Sequence, residues 1–261
     1  MLPGPSILPK SDVCWQDSVV DALTLHPWRV SYRQAVAIQE SLGERLRLEP
    51  LRGPVTLVAG ADVAYSRASH RMFAAVVLVE LPSLNAVETA RAVSRARFPY
   101  IPGLFTFREV PPLLKAFKRL RARPDALLFD GHGLAHPRRF GLACHAGLLL
   151  QAPSVGCAKS RLVGTHGAVG PSRGSAADLV LGGATVGAVL RTRPGVKPVY
   201  VSPGYLVDLP SAVALVLATT GRFRIPEPIR LAHQATAAMQ RAVDARVGGP
   251  IARTYPDFVS E

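Results

Sequence analysis

Three consecutive stretches of strand character, Thr56 to Tyr65, Met72 to Leu81 and Val87 to Phe98, are separated only by the short polar turns Ser66 to Arg71 and Pro82 to Asn85. Connections this short suit antiparallel neighbours, because a parallel crossover needs a dozen residues or more. The sheet is therefore expected to open as an antiparallel meander. The rhythm then changes. Leu113 to Arg121 has the pattern of a basic amphipathic helix, Ala126 to Asp130 of a short buried strand, Gly141 to Leu150 of a small-residue helix and Ser154 to Ala158 of another strand. After a glycine-rich loop from Gly164 to Gly174, Ala184 to Arg191 and Lys197 to Ser202 flank a Pro194-Gly195 turn, and Leu209 to Thr219 looks helical. Ahead of the meander, Ser31 to Leu48 alternates apolar and charged positions at helical spacing.

This order predicts an α/β fold with a mixed central sheet, an antiparallel meander followed by βαβ alternation, and helices on both faces. It is the order of ribonuclease H-like folds, in which acidic residues of neighbouring strands meet at one point. We expect an N-terminal arm over residues 1–30, mobile in its first dozen, a catalytic domain over 31–230, and a C-terminal helical extension and tail over 231–261.

The 261 residues are 48% apolar, enough for a substantial core, so the net charge of +13 must lie on the surface, where it favours a polyanionic partner such as nucleic acid. A basic surface that serves only solubility has the same composition, so the motifs must decide. Cys14, Cys144 and Cys157 are odd in number and lack CxxC spacing, which argues against a disulfide framework or a zinc knuckle and suits a reducing cytoplasm. No basic region followed by an apolar run opens the chain, and the apolar stretch near Leu179 to Leu190 is too short to span a bilayer, so a soluble protein without membrane association is expected.

Asp62 stands in the otherwise apolar strand Val58-Ala59-Gly60-Ala61-Asp62-Val63-Ala64-Tyr65. An unpaired carboxylate there costs several kcal/mol, so Asp62 needs an ion-pair partner, hydrogen bonds or a cation. Asp130 ends the apolar strand Leu127-Leu128-Phe129 and is followed by Gly131-His132-Gly133, where a ligand or another backbone can approach; it could equally cap a turn. Glu109 follows the stiff aromatic segment Pro99-Tyr100-Ile101-Pro102-Gly103-Leu104-Phe105. Thr106 and Glu109 have capping-box spacing, whereas a helix starting at Pro111-Pro112 would leave Glu109 outside and free to project toward the sheet. Carboxylates without thiolates are hard ligands for Mg²⁺ or Mn²⁺, which phosphodiester cleavage uses. His132 and His136 have HxxxH spacing, but Gly133 and Pro137 argue against the helix that a zinc site of this type needs.

The strings GADVAYS, PYIPGLFTFRE, FDGHGLAHPRRFGLACHAG and VGCAKSRL, in this order, resemble the endonuclease V family, and the resemblance runs from about Ser31 to Pro228. It implies a ribonuclease H-like fold in which Asp62, Glu109 and Asp130 hold Mg²⁺, with Mn²⁺ able to substitute. Lys159 would sit beside the scissile phosphate and His136 would support the active-site network. The segment Pro99, Tyr100, Ile101, Pro102 would act as a wedge, with Tyr100 entering the base stack, while Gly103 and Gly131 would admit a flipped base. The implied reaction is hydrolysis of the second phosphodiester 3′ to deoxyinosine in DNA, or to inosine in RNA, leaving 3′-hydroxyl and 5′-phosphate ends, as a step of DNA repair; separately, a monomer is expected. One position departs from the family: Tyr205 follows Gly204 where relatives carry histidine, which implies a weaker second metal position, with Asp208 either compensating or capping the following helix. A ribonuclease H-like nuclease without inosine preference and a non-catalytic nucleic-acid binder are the competing readings.

Overall fold

The computed structural model describes residues 25–247. Its elements are helix α1 (Tyr32–Gly43), strands β1 (Leu57–Tyr65), β2 (Arg71–Glu80) and β3 (Ala86–Arg95), helix α2 (Thr106–Phe117), strand β4 (Ala126–Phe129), helix α3 (Leu142–Leu150), strands β5 (Ser154–Ala158), β6 (Ala176–Leu181), β7 (Ala184–Leu190) and β8 (Val199–Tyr205), and helices α4 (Leu209–Ala218) and α5 (Glu227–Val247). The strands form one eight-stranded sheet in the order β3-β2-β1-β4-β5-β8-β7-β6. β1 to β3 are the antiparallel meander, and β4 and β5 join β1 in parallel. The fold class expected from the sequence is thus observed.

Side chains alternate across the sheet, as strand geometry requires. Ala59, Ala61, Leu127 and Phe129 face one core layer, closed by Val110, Leu114 and Phe117 of α2 and by Ala146 and Leu150 of α3. Val58, Ala126, Leu128 and Val155 face the other, closed by Leu215 of α4 and Ile229 of α5. Helix α1 begins with a capping box in which the Ser31 hydroxyl accepts from the Gln34 amide and the Gln34 side chain accepts from the Ser31 amide.

Three expectations are corrected. Helix α2 starts at Thr106, not near Leu113, and Pro111 and Pro112 lie inside it. Buried Phe107, Val110, Leu113, Leu114 and Phe117 each contribute about 1.5 to 3 kcal/mol of burial, which outweighs about 3 kcal/mol or more per interior proline. No capping box forms, and Glu109 rides in the first helical turn instead of preceding it. Second, Ala176–Leu181 is a strand absent from the sequence reading. The turn to β7 is Gly182-Gly183, both at positive φ, the two-residue geometry that matches strand twist. Third, the boundary expected between residues 230 and 231 falls inside α5, which packs along β1 and β2. Most of the expected N-terminal arm and the last 14 residues of the tail lie outside the described residues, but Trp28 packs its ring against Phe107 and His145.

Candidate active site

The register of β1 and β4 ends at the pair Ala61 and Phe129. Asp62 and Asp130 are the next residue on each strand, so two carboxylates stand side by side, and their even positions turn them toward the layer covered by α5. Helix α5 comes close because residue 60 has no side chain: a Cβ there would lie 2.0 Å from the Pro228 carbonyl carbon. The close approach brings two more polar groups to Asp62. The fully buried Thr236 hydroxyl donates to Asp62 Oδ2. His233 Nδ1 lies 3.4 Å from the same oxygen, and this hydrogen bond, more than the neighbouring charge, raises the imidazole pKa.

Glu109 enters from the first turn of α2. Burial of its carboxyl, followed by the negative charges of Asp62 and Asp130, pushes its pKa up to about 8. Asp130 is also raised by burial, although Lys159, whose Nζ lies 2.5 Å from Asp130 Oδ2, pulls the other way. Lys159 follows the last residue of β5, on the strand beside Asp130. The Asp130–Gly133 turn can lie flat over β5 because a Cβ at Gly156 would meet the Gly131 carbonyl at 2.6 Å. Gly131 itself faces Leu142, whose side chain a Cβ there would meet at 3.3 Å.

These carboxylates suit a hard divalent cation by chemistry, since they offer only oxygen, and the charged form of Glu109 calls for a neutralising partner. As placed, Asp130 is engaged by Lys159, and Asp62 by Thr236 and His233. Among the described residues no three His, Cys, Asp or Glu side chains are placed so that they could hold a metal ion together.

Tyr100 is half exposed and stacks on Phe105 with ring centroids 4.5 Å apart. Its pKa is raised by burial and then by the Glu109 charge, which puts the ring within electrostatic reach of Glu109. Pro99 and Pro102 are exposed beside it, whereas Ile101 packs inward with Phe98 and Leu104 and anchors the segment. Gly103, at φ +76°, turns its carbonyl to three donors: His136 Nε2 at 3.1 Å, Arg138 Nη2 at 2.6 Å and Gln39 Nε2 at 3.1 Å. His136 therefore braces the aromatic segment and does not reach the carboxylates. Its Nδ1 accepts from the Arg138 amide, which assigns the proton to Nε2, and burial lowers its pKa to about 4. His132 donates toward the Ser160 carbonyl at 3.1 Å, with no zinc-like pairing to His136.

Tyr205 is corrected. β8 runs antiparallel to β5, and Tyr205 pairs with Ser154 at the start of β5, the end opposite Lys159. Its ring is buried among Leu42, Phe140, Cys144 and Leu148, and its hydroxyl donates to Gln151 Oε1 at 3.1 Å. It has no part in the carboxylate site. Asp208 caps α4 by accepting from the Ser211 amide at 2.9 Å. The residues the sequence reading missed are His233 and Thr236. Their signal, a histidine and a threonine three apart on one helix face, lay in a segment assigned to an extension.

The endonuclease V family model matches residues 40–234 of the chain. An endonuclease V from Myxococcus xanthus is 49% identical over 216 residues, which cover 82% of this chain and 92% of that protein. The crystal structure of an endonuclease V from Streptomyces avermitilis superposes with a TM-score of 0.79 at 43% identity, covering 83% of this chain and 96% of the other. That of a Ciona intestinalis endonuclease V, in complex with a 23mer DNA containing an inosine followed by a ribo-adenosine, superposes at 0.71 with 26% identity, covering 82% of this chain and all of that one.

Proposed function

Because the chain belongs to the endonuclease V family and is a nuclease acting on deoxyinosine-containing nucleic acid, we propose that it hydrolyses the second phosphodiester 3′ to deoxyinosine in DNA, leaving 3′-hydroxyl and 5′-phosphate ends. The observation that carries this reading is the placement of Asp62 beside Asp130 at the ends of β1 and β4, with Glu109 buried near enough for both negative charges to add to the burial that raises its pKa to about 8. Asp62, Glu109 and Asp130 would hold Mg²⁺, or Mn²⁺ in its place, and the bound cation would supply an activated water and stabilise the leaving oxygen. Lys159 would exchange its contact with Asp130 for one with the scissile phosphate and offset charge developing there. Thr236 keeps Asp62 Oδ2 engaged and so orients the other oxygen. His233, its imidazolium favoured by Asp62, would hold a proton beside the phosphate. Tyr100 would fill the gap left by an extruded base, a step that costs a few kcal/mol and is easiest where pairing is already weak.

The role is the initiation of DNA repair by a monomer, with inosine-containing RNA as the second substrate to compare. Among the described residues no helix is long and apolar enough to cross a membrane. Cys144 and Cys157 are buried free thiols, which suits a reducing compartment such as the cytoplasm. End-labelled DNA duplexes with and without one inosine, and an inosine-containing RNA, should be incubated with Mg²⁺ or with EDTA. A nick at the second bond 3′ of inosine, lost in EDTA, supports the proposal; equal cutting of the unmodified duplex overturns the inosine reading.

A further inference from the structure

Trp28, Arg29 and Val30, ahead of α1, face Arg97, Phe98 and Pro99 across a surface groove of about 480 Å³. One lining residue, Pro99, directly precedes Tyr100 in the chain. None of the six lining residues is acidic, and both arginines are exposed. Two residues before Arg97, the exposed Arg95 at the end of β3 stands directly opposite Arg71 at the start of β2. Like charges paired across an antiparallel ladder destabilise it. Among the described residues none of Arg29, Arg71, Arg95 and Arg97 has an ion-pair partner. The adjacent Phe98 carbonyl accepts from Arg108 Nη1 at 3.1 Å, so the floor of the groove is held in place.

We propose that this groove, continued by the Arg71–Arg95 pair, is a track for the phosphate backbone of the nucleic acid on the Pro99 side of Tyr100. An unpaired cluster of guanidinium groups in a concave, acid-free surface matches a row of phosphates, and an anion between Arg71 and Arg95 would relieve their repulsion. The track reads no base. It sets how strongly the duplex is held while Tyr100 tests the stack. The inference rests on the nuclease reading only in taking nucleic acid as the polyanion.

The test is binding of fluorescent duplexes, with and without inosine, in EDTA over a range of salt concentrations. The variants are Arg29→Ala/Arg97→Ala and Arg29→Lys/Arg97→Lys. The alanine pair should weaken both duplexes by the same factor, roughly tenfold, and lower the slope of log affinity against log salt by about 2, at about 0.9 per lost phosphate contact. The lysine pair should restore the slope. Melting temperatures should match wild type, since both side chains are exposed. In cleavage the loss should appear as a higher KM with inosine preference retained. An unchanged salt slope overturns the track, and so does a loss confined to the inosine duplex. Because binding is read without metal and on the unmodified duplex as well as the inosine duplex, these outcomes are independent of whether the chain cleaves at inosine.

Discussion

Replacing Glu109 by glutamine removes one acid from the carboxylate cluster while keeping the shape of the side chain. The metal-free protein should then gain stability by an amount that grows with pH. In the folded chain the Glu109 pKa stands at about 8, against an ordinary value of 4.5. Below 4.5 the group is protonated in both the folded and unfolded states. Between 4.5 and about 8 the unfolded chain has released this proton while the folded chain keeps it, so wild-type stability falls as pH rises through that window. The difference of about 3.5 units, at about 1.36 kcal/mol each, sets a ceiling of about 5 kcal/mol near pH 8. Glu109→Gln lacks the titration. For a domain of this size about 1 kcal/mol corresponds to about 2 to 4 °C, so the two melting temperatures should diverge to on the order of 10 °C. Thermal and urea unfolding in EDTA from about pH 5 to about pH 8 measures the effect. Adding Mg²⁺ should narrow the gap, because a cation that binds only the folded state stabilises the wild type by mass action. If the stability curves of the two proteins run parallel with pH, then the Glu109 carboxyl is not held neutral by its surroundings and the cluster has no need of a cation to neutralise it.

Asp62→Ala and Asp130→Ala should each abolish nicking while leaving duplex binding in EDTA within a few-fold of wild type, and wild-type turnover by either would remove it from the site. Tyr100→Ala should reduce the preference for inosine-containing over unmodified duplex by about 1 to 3 kcal/mol of stacking, read as a ratio of affinities. An equal loss on both duplexes would end the wedge role. Gly60→Ala should lower stability by more than about 2 kcal/mol in urea unfolding and cut activity with it, since α5 must retreat from β1 and carry Thr236 and His233 away from Asp62. Tyr205→His should leave the metal concentration for half-maximal cleavage unchanged, because the ring lies at the other end of β5; a shift in that titration would contradict the placement.

The sequence by itself determined the meander, the passage to βαβ alternation and three of the charged positions that matter. Strand periodicity and short turns are local properties, and a carboxylate inside an apolar strand stands out wherever it occurs. That is why Asp62 and Asp130 were legible before any pairing was known. Glu109 was legible as a residue but not as an element, because local rules place a helix start at Pro111 while burial of Phe107 and Val110 extends the helix back through it. Tertiary structure alone decided the rest. The register of β1 against β4 sets Asp62 beside Asp130, and no local signal encodes a register between strands more than sixty residues apart. The direction of β8 sends Tyr205 away from the site, although its place in the sequence suggested the opposite. The close approach of α5 to Gly60 recruits His233 and Thr236 from a segment that reads as an appendage. His136, expected by resemblance to support the active-site network, holds the Gly103 carbonyl, since a side chain's role follows from what the folded chain brings within hydrogen-bond distance of it.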